Sequence, residues 1–260
     1  MATLTFQADA YSGGVRQVPH SHDELHLSIV LSGHVAETVG GVTELGSTHS
    51  VVVKDSGVVH ANEFSPGTRL ARLSLPDGTL ASLVDHSSRA AGWQWKHDGL
   101  VAKPYLRLIA RSGGATSTIA ADDDDLVELC AALTSRETAR ARSQAPAWLA
   151  QVMKEVRNEW RPDVTVASIA QRAGVHPVYL ARCVRRWYDV GLAEELRRLR
   201  LHAASRALAD GARTISDVAH AHGFSDEPHL CRDFQRSFGM SPGRYRKLVR
   251  RLDYRWHAHE

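Results

Sequence analysis

The sequence has no long apolar run and few cysteines, and both absences narrow the class of protein. No stretch of its 260 residues approaches the roughly 20 consecutive apolar residues that cross a bilayer. The start, MATLTFQADAYSGG, lacks the basic and apolar segments of a signal peptide. Cys130, Cys183 and Cys231 lie far apart without Cys-x-x-Cys spacing, which argues against a disulfide framework or a zinc knuckle. We therefore expect a cytoplasmic protein with reduced thiols and no membrane partner.

Patterns typical of catalysis are missing as well. The chain shows no nucleophile–base arrangement, no glycine-rich phosphate loop and no paired catalytic carboxylates. We therefore expect that the protein is not an enzyme.

The charge of the chain is unevenly distributed. The formal net charge is +3, but residues 146–260 hold 20 of the 32 Lys and Arg and 13 of the 29 Asp and Glu. That half carries +7, and residues 1–145 carry −4. A basic half joined to an acidic half indicates that one of them binds a polyanion, although a solvated basic surface gives the same numbers.

Hydrophobic periodicity divides the chain into a β part and a helical part. Alternating or β-rich stretches between glycine and proline turns recur at 26–31, 35–39, 49–54 and 69–75, which is typical of a sandwich or small barrel. The period becomes helical at 105–111 and 122–142, where Asp122 to Asp125 favour a helix start, and 142–146 reads as a linker. We predict an α+β protein with a barrel over 1–99, a helical dimerisation or linker region over 100–145, and an all-α domain over 146–260.

The last hundred or so residues contain an internal repeat. Three pairs correspond at a separation of 49 residues: Ile169 and Val218, Ala170 and Ala219, Gly174 and Gly223. Each copy joins a short helix, with alanine four positions before glycine, to a helix with bulky apolar residues at i, i+4 and i+8. Helices that cross at about 90–120° need a small residue at the crossing and a permissive residue in the turn. The repeat predicts two helix-turn-helix motifs, over about 166–188 and 214–238.

The second helix of each motif leaves one face free for DNA. The predicted contacts are Val178, Ala181, Arg182, Arg185 and Arg186 in the first motif, and Glu227, Cys231, Arg232, Gln235 and Arg236 in the second. Arg182 and Arg232 are the strongest candidates because arginine reads guanine O6 and N7 in the major groove. The other arginines are expected at phosphates or in solvent.

This paired arrangement closely resembles the AraC family of transcription regulators. The resemblance runs from about Trp148 to Lys247 and is densest over 215–246, ISDVAHAHGFSDEPHLCRDFQRSFGMSPGRYR. It implies that both recognition helices enter successive major-groove segments about one helical turn apart. Three positions depart from the family pattern: His176 replaces the usual N-cap serine, Asp189 the usual glycine, and Pro228 a small polar residue.

Histidines are concentrated in the N-terminal half. If 20–26 is a strand, His20, His22, Glu24 and His26 share one face, and His60 could complete the cluster from a later strand. Converging imidazoles suit Zn, Fe, Ni or Cu. The alternative is a hydrogen-bonded pocket wall, or exposed strand ends, without metal.

The histidine spacing resembles the two cupin motifs, with His26 where glutamate is usual. Many AraC-type regulators carry such a barrel as an effector-binding domain, often with a similar His-x-His and no metal. Trp93 and Trp95 are candidates for the pocket or for the core, and Glu24 for the pocket.

Together these features predict a DNA-binding transcription regulator controlled by a small molecule or metal in the cupin-like domain. The expected partners are double-stranded DNA, a second copy of the chain and, for an activator, RNA polymerase. The alternative is a metal-dependent cupin enzyme, such as a dioxygenase or isomerase, with a helical appendage. Two exposed recognition helices argue against the alternative because an enzyme has no need of them.

Overall fold

The computed structural model describes residues 2–75, 92–97, 99–112, 117–119, 123–134, 145–158, 160–188 and 190–258. The strands are β1 (Ala2–Tyr11), β2 (Val15–His20), β3 (Leu25–Ser32), β4 (His34–Val39), β5 (Val42–Ser47), β6 (Val51–Lys54), β7 (His60–Phe64), β8 (Thr68–Leu75), β9 (Trp93–Lys96), β10 (Ser117–Ile119) and β11 (Tyr254–His257). The helices are α1 (Gly99–Ser112), α2 (Asp124–Thr134), α3 (Ala147–Asn158), α4 (Val166–Arg172), α5 (Pro177–Tyr188), α6 (Leu192–Asp210), α7 (Ile215–Ala221), α8 (Glu227–Phe238) and α9 (Pro242–Arg251).

Most predicted elements are present, with shifted ends. The four predicted strands correspond to β3, β4, β6 and β8. The helix predicted over 122–142 is α2, whose start is capped by the Asp123 carboxylate, which accepts from the backbone N–H groups of Asp125 and Leu126. Asp122, residues 135–144 of the predicted helix and linker, and Asp189 lie outside the described residues.

The α+β fold class is confirmed, but the described strands form two sheets that do not close into the predicted barrel. The larger sheet has the order β10-β1-β8-β3-β6-β9, with β11 also paired to β1, and the smaller has the order β2-β7-β4-β5. Side chains from both sheets meet in one core cluster: Tyr11, Val30, Val35, Val52, Phe64, Leu70 and Trp95. The described strands therefore form a sandwich, because these two sheets share a core without a hydrogen-bonded seam between them.

Strand β3 of the larger sheet is buried on both faces. All eight residues of β3 are buried, since alternate residues face the smaller sheet and the opposite face is covered by helix. Tyr105 of α1 is fully buried, and its hydroxyl donates to the carbonyls of Leu27 and Ala71. Arg107 of α1 in turn donates to Asp125 of α2 at 2.5 Å.

Packing divides the chain into two units that do not follow the predicted linear boundaries. One unit comprises Met1–Ser135, Ser205–Ala212 and Cys231–Glu260, and the other Arg136–Ala204 and Arg213–Leu230. The C-terminal strand β11, which the sequence analysis did not anticipate, joins the first unit by parallel pairing with β1. The second unit has its own core, in which Leu149, Met153, Ile169, Leu180, Val184 and Leu196 are buried. Among the described helices, none has the length and apolar character needed to cross a membrane.

Candidate DNA-binding interface and histidine site

Each predicted helix-turn-helix motif begins with a capped helix. Thr165 caps α4: its hydroxyl accepts from the Ser168 backbone N–H at 3.1 Å, and Ser168 bonds back to the Thr165 N–H at 3.0 Å. Thr214 caps α7 in the same way, with Asp217 as its reciprocal partner. These reciprocal boxes satisfy backbone donors that have no partner inside the helix, and they fix where each motif starts.

The small residue and the glycine of each copy occupy the positions that the repeat predicts. Ala170 and Ala219 are completely buried. Gly174 and Gly223 have φ values of +65° and +77°, a conformation that favours glycine. A Cβ on Gly223 would also lie 3.0 Å from the Pro162 carbonyl oxygen, so both backbone and space require glycine there.

The two departures from the family pattern that lie within the described residues, His176 and Pro228, are accommodated. His176 does cap α5, because its Nδ1 accepts from the Val178 backbone N–H at 3.2 Å. Asp226 caps α8 by accepting from the His229 N–H at 2.6 Å. Pro228 is the second residue of α8, where its missing N–H costs no helical hydrogen bond.

Most of the predicted DNA-contacting side chains are solvent-exposed. The exposed group is Val178, Arg182, Arg185, Arg186, Arg232, Gln235 and Arg236, and the half-exposed group is Ala181, Glu227 and Cys231. Arg236 also forms an ion pair with Asp233 at 3.3 Å. The apolar residues of the same helices, Leu180, Val184, Leu230 and Phe234, are fully buried. Each recognition helix therefore presents a polar face to solvent and an apolar face to its core.

The sequence analysis missed one exposed residue of this interface. Tyr179 of α5 is exposed beside Val178, and its ring stacks on that of Trp148 with centroids 6.2 Å apart. A tyrosine whose ring is fixed by stacking on a tryptophan can donate a hydrogen bond from its hydroxyl to a DNA phosphate. Its position next to Val178 at the start of α5 is the signal that could have identified it.

Three of the four predicted metal ligands converge. One nitrogen from each of His20, His22 and His60 lies within 4.8 Å of the others. His20 Nδ1 is 2.8 Å from the Val18 carbonyl oxygen, and His60 Nδ1 is 2.9 Å from that of Val58. A carbonyl only accepts, so each Nδ1 carries a proton, and in the neutral form of such an imidazole Nε2 has the free lone pair. This is the tautomer that binds a metal through Nε2.

Buried nitrogens without partners mark the same site. The Nε2 atoms of His22 and His60 are buried with no hydrogen-bond partner. Burial lowers the pKa of both residues to about 4, helped by the positive charges of Arg72 for His22 and Lys54 for His60. Both imidazoles are therefore neutral near pH 7, as metal ligation requires.

The route to this cluster differs from the predicted one. Residues 20–26 are not one strand: β2 ends at His20, β3 begins at Leu25, and a loop connects them. His22 therefore comes close to His20 through the conformation of this loop. The sequence analysis had expected the two side chains to share one face of a continuous strand. His26 lies on β3 with its ring 4.2 Å from that of His22, but its nitrogens are not part of the converging group. Glu24 is exposed in the loop and is not part of that group either.

A buried charged pair that the sequence analysis missed lies in the same sandwich. Lys54 Nζ is 2.6 Å from Glu37 Oε1, and both side chains are almost completely buried. The indole N–H of Trp93 donates to Glu37 Oε2 at 2.6 Å. Trp95, in contrast, is part of the apolar core and packs against Gly46. The positions of Glu37 and Lys54 within alternating strands were the available signal, because an inward charge on a strand needs a partner.

The fold and the exposed helices define a tandem helix-turn-helix protein. Residues 169–248 match the family model described as a helix-turn-helix domain. A Streptomyces lividans protein described as an AraC-like transcription regulator is 39% identical over 83 residues, which are 32% of this chain and 27% of the relative. The C-terminal part of this chain is accordingly an AraC-type helix-turn-helix domain.

Two further proteins are similar to this chain. The transcriptional activator NphR of Rhodococcus sp is 30% identical over 199 residues, covering 71% of this chain and 54% of NphR. The DNA-binding domain of AdpA, solved in complex with a target DNA, is 26% identical and covers 39% of this chain and 92% of that domain, with a TM-score of 0.36. The chain spans between about a quarter and about half of the length of these two curated relatives.

Proposed function

We propose that this protein is a sequence-specific DNA-binding transcription regulator whose two recognition helices read adjacent major-groove segments. The observation that carries the proposal is the exposure of arginines on both recognition helices, whose opposite faces are buried. The basic C-terminal half supports it, since net positive charge attracts the DNA backbone. The protein acts by binding, and no catalytic role is assigned to any residue.

Selection of bound sequences tests this function directly. The full chain is incubated with random double-stranded DNA, and the bound fraction is amplified and sequenced. We expect a bipartite motif with two segments about one helical turn, ~34 Å, apart. A pool that stays random after selection, while binding remains salt-sensitive, would contradict sequence-specific recognition.

Alanine variants then assign the two segments. Arg182→Ala and Arg232→Ala should each weaken binding to the selected DNA by about 1–3 kcal/mol if the side chain bridges a guanine. Each variant should relax the sequence preference in a different segment. Arg16→Ala is the matched control, because this exposed arginine pairs with Glu63 on the β-sandwich and should leave DNA affinity unchanged. Full selective binding by both recognition-helix variants would exclude these arginines as the readers.

We further propose that the protein is regulated through its N-terminal sandwich, by a small molecule or a transition metal. His20, His22 and His60 would hold the metal, and the two unpartnered buried Nε2 atoms support this assignment. Three imidazole ligands favour Zn, Cu, Ni or Fe over harder cations. A bound ion would supply a positive charge that fixes the loop between β2 and β3, because His22 lies in that loop and the other two ligands do not. Glu24 and Trp93 remain predicted pocket residues, with Trp93 nearest to the buried Glu37–Lys54 pair, whereas Trp95 lies in the apolar core.

Cobalt titration tests the metal site without a known operator. We expect Co²⁺ to bind the full chain at one ion per chain, with visible absorption of tetrahedral intensity, and Zn²⁺ to displace it. His60→Ala should abolish the absorption, and the control His34→Ala, at a half-buried histidine outside the group, should retain it. Equal spectra for these two variants would show that the three histidines form a polar pocket wall instead.

The expected homodimer and, for an activator, the contact with RNA polymerase stay predictions. Sedimentation of the full chain with and without selected DNA measures the first. The second requires transcription from a promoter that carries the selected motif.

A further inference from the structure

His49 is a buried residue of the β-sandwich with an unusual backbone conformation. It lies in the turn between β5 and β6, and its φ is +68°, the sole positive value at a non-glycine position among the described residues. Its side chain is completely buried, and burial lowers its pKa to about 3. A left-handed histidine costs conformational energy, so the surrounding contacts must hold it in place.

Those contacts come from the end of α8 and from α9, which belong to the same packing unit as His49. His49 Nε2 lies 3.2 Å from the hydroxyl oxygen of Tyr245 in α9. The His49 ring lies 4.1 Å from the ring of Phe238, the last residue of α8. The Tyr245 hydroxyl donates to the Leu31 carbonyl at 3.0 Å, so its single proton is used there and His49 Nε2 is the donor to Tyr245.

The strand that leads from the histidine site ends at the same place. β3 begins beside His26 and ends at Leu31 and Ser32. The Val30 carbonyl accepts from the His49 backbone N–H at 2.7 Å, and the Leu31 carbonyl accepts from Tyr245. His49 and Tyr245 are therefore both hydrogen-bonded to the end of β3.

The second half of α8 rests on this cluster with its buried face. Phe234 packs against Phe238, with ring centroids 4.6 Å apart, and against Tyr245, at 5.3 Å. The opposite side of the same turns carries the exposed Arg232 and Gln235. A close-packed core transmits small displacements because its side chains have no room to absorb them, so a shift of the His49 ring shifts the helix that presents these residues.

We propose that His49 is a positioning residue for the second recognition helix. Sequence reading at the second DNA segment then depends on a residue of the β-sandwich that never touches DNA. The inference rests on the proposed DNA-binding function and adds to it the residue through which the sandwich sets the placement of α8.

Three variants distinguish the effect of the His49–Tyr245 contact from that of backbone strain at residue 49 and from a general loss of stability. His49→Gly removes the ring and the hydrogen bond to Tyr245 but fits the positive φ, so it deletes the contact without adding backbone strain. His49→Gln is one methylene longer than Asn and places its amide nitrogen near the position of Nε2, so it can still donate to Tyr245 and serves as the conservative rescue. Tyr245→Phe removes the hydroxyl and keeps the ring.

Tyr105→Phe is the matched control. Tyr105 is also fully buried, and its hydroxyl also donates to a carbonyl of β3, that of Leu27. It belongs to α1, which carries no DNA-contacting residue. Loss of the Tyr105 hydroxyl should lower the midpoint of thermal unfolding as much as Tyr245→Phe does, and it should leave sequence-specific DNA binding unchanged.

The readout is hydroxyl-radical footprinting of the full chain on the selected DNA, with the two protected segments assigned by Arg182→Ala and Arg232→Ala. We expect His49→Gly and Tyr245→Phe to require about tenfold more protein to protect the second segment, with the first unchanged. His49→Gln should recover most of that loss, and Tyr105→Phe should protect both segments as the wild type does.

Equal weakening of both segments by His49→Gly, or the same segment-specific loss in Tyr105→Phe, would show that His49 has a merely structural role and would overturn the inference alone. If the wild-type chain itself gives no sequence-selective footprint, the proposed function fails, and with it the role assigned to His49.

Discussion

At the scale of single residues, the sandwich contains positions where one atom decides the packing. Gly46 lies in β5 with an ordinary backbone conformation, yet a Cβ there would lie 2.2 Å from two carbons of the Trp95 ring. Glycine is required at this position by space and not by backbone geometry. The tryptophan can be buried in the core because its neighbour has no side chain.

Gly46→Ala should therefore lower the free energy of unfolding by about 1–3 kcal/mol, the usual cost of overpacking a core. Chemical denaturation followed by Trp fluorescence measures it. Gly191→Ala is the matched control, since a Cβ there would meet nothing closer than 3.6 Å. If Gly46→Ala leaves the free energy of unfolding unchanged, the Trp95 ring moves aside at no cost and the prediction is wrong.

The Glu37–Lys54 pair makes a second prediction at this scale. Lys54→Met leaves Glu37 buried beside Trp93 without its cation, and removing one partner of a buried pair typically costs about 3–5 kcal/mol. The double variant Lys54→Met with Glu37→Leu should recover most of that loss, because no buried charge remains. Urea unfolding of the two single variants and the double variant measures this coupling. The prediction is wrong if the loss of unfolding free energy in the double variant equals the sum of the losses in the two single variants.

At the scale of elements, the helix-turn-helix copies are started by side chains and not by helix propensity. α7 has only seven residues, too few to be stable alone. Its first turn depends on the Thr214 hydroxyl, which accepts from the Asp217 backbone N–H at 3.0 Å. Four-residue β11 likewise depends on its partner, pairing in parallel with the end of β1.

Thr214→Ala should destabilise α7 by about 1 kcal/mol, while Thr214→Ser, which keeps the hydroxyl, should restore most of the loss. Thermal unfolding monitored by circular dichroism gives the comparison. Hydrogen exchange of the α7 amides localises the effect; uniform exchange changes across the chain would not agree with a local cap.

At the scale of the whole molecule, buried neutral histidines make folding sensitive to acid. His49 has a pKa of about 3 in the folded protein because it is completely buried, against 6.5 when exposed. Above pH 6.5 it is neutral in both states. Between pH 6.5 and about 3 the unfolded state binds a proton that the folded state does not, so stability falls as pH falls.

Replacing His49 by Asn removes this titration and keeps the positive φ. The slope of the unfolding free energy against pH should fall by up to about 1.4 kcal/mol per pH unit between pH 6 and 4 in the variant relative to the wild type. Urea unfolding at a series of pH values measures the slopes. Parallel curves for the two proteins would show that His49 does not contribute.

The sequence by itself determined the paired helix-turn-helix motifs, the alternating strands and the three histidines that converge, although His26, predicted with them, is not part of that group. Periodicity, caps and turn glycines act over a few residues, so Ala170, Gly174 and their counterparts could be located by spacing alone. The family resemblance rests on the same local patterns.

Only the tertiary structure decided which distant residues meet. That the strands form two sheets, that His22 reaches the cluster from a loop, that Lys54 pairs with Glu37 and that β11 pairs with β1 all depend on long-range packing. The contact of His49 with Tyr245 joins residues 196 positions apart. No local pattern encodes such a contact, because its energy comes from burial and hydrogen bonds that exist only once the chain is folded.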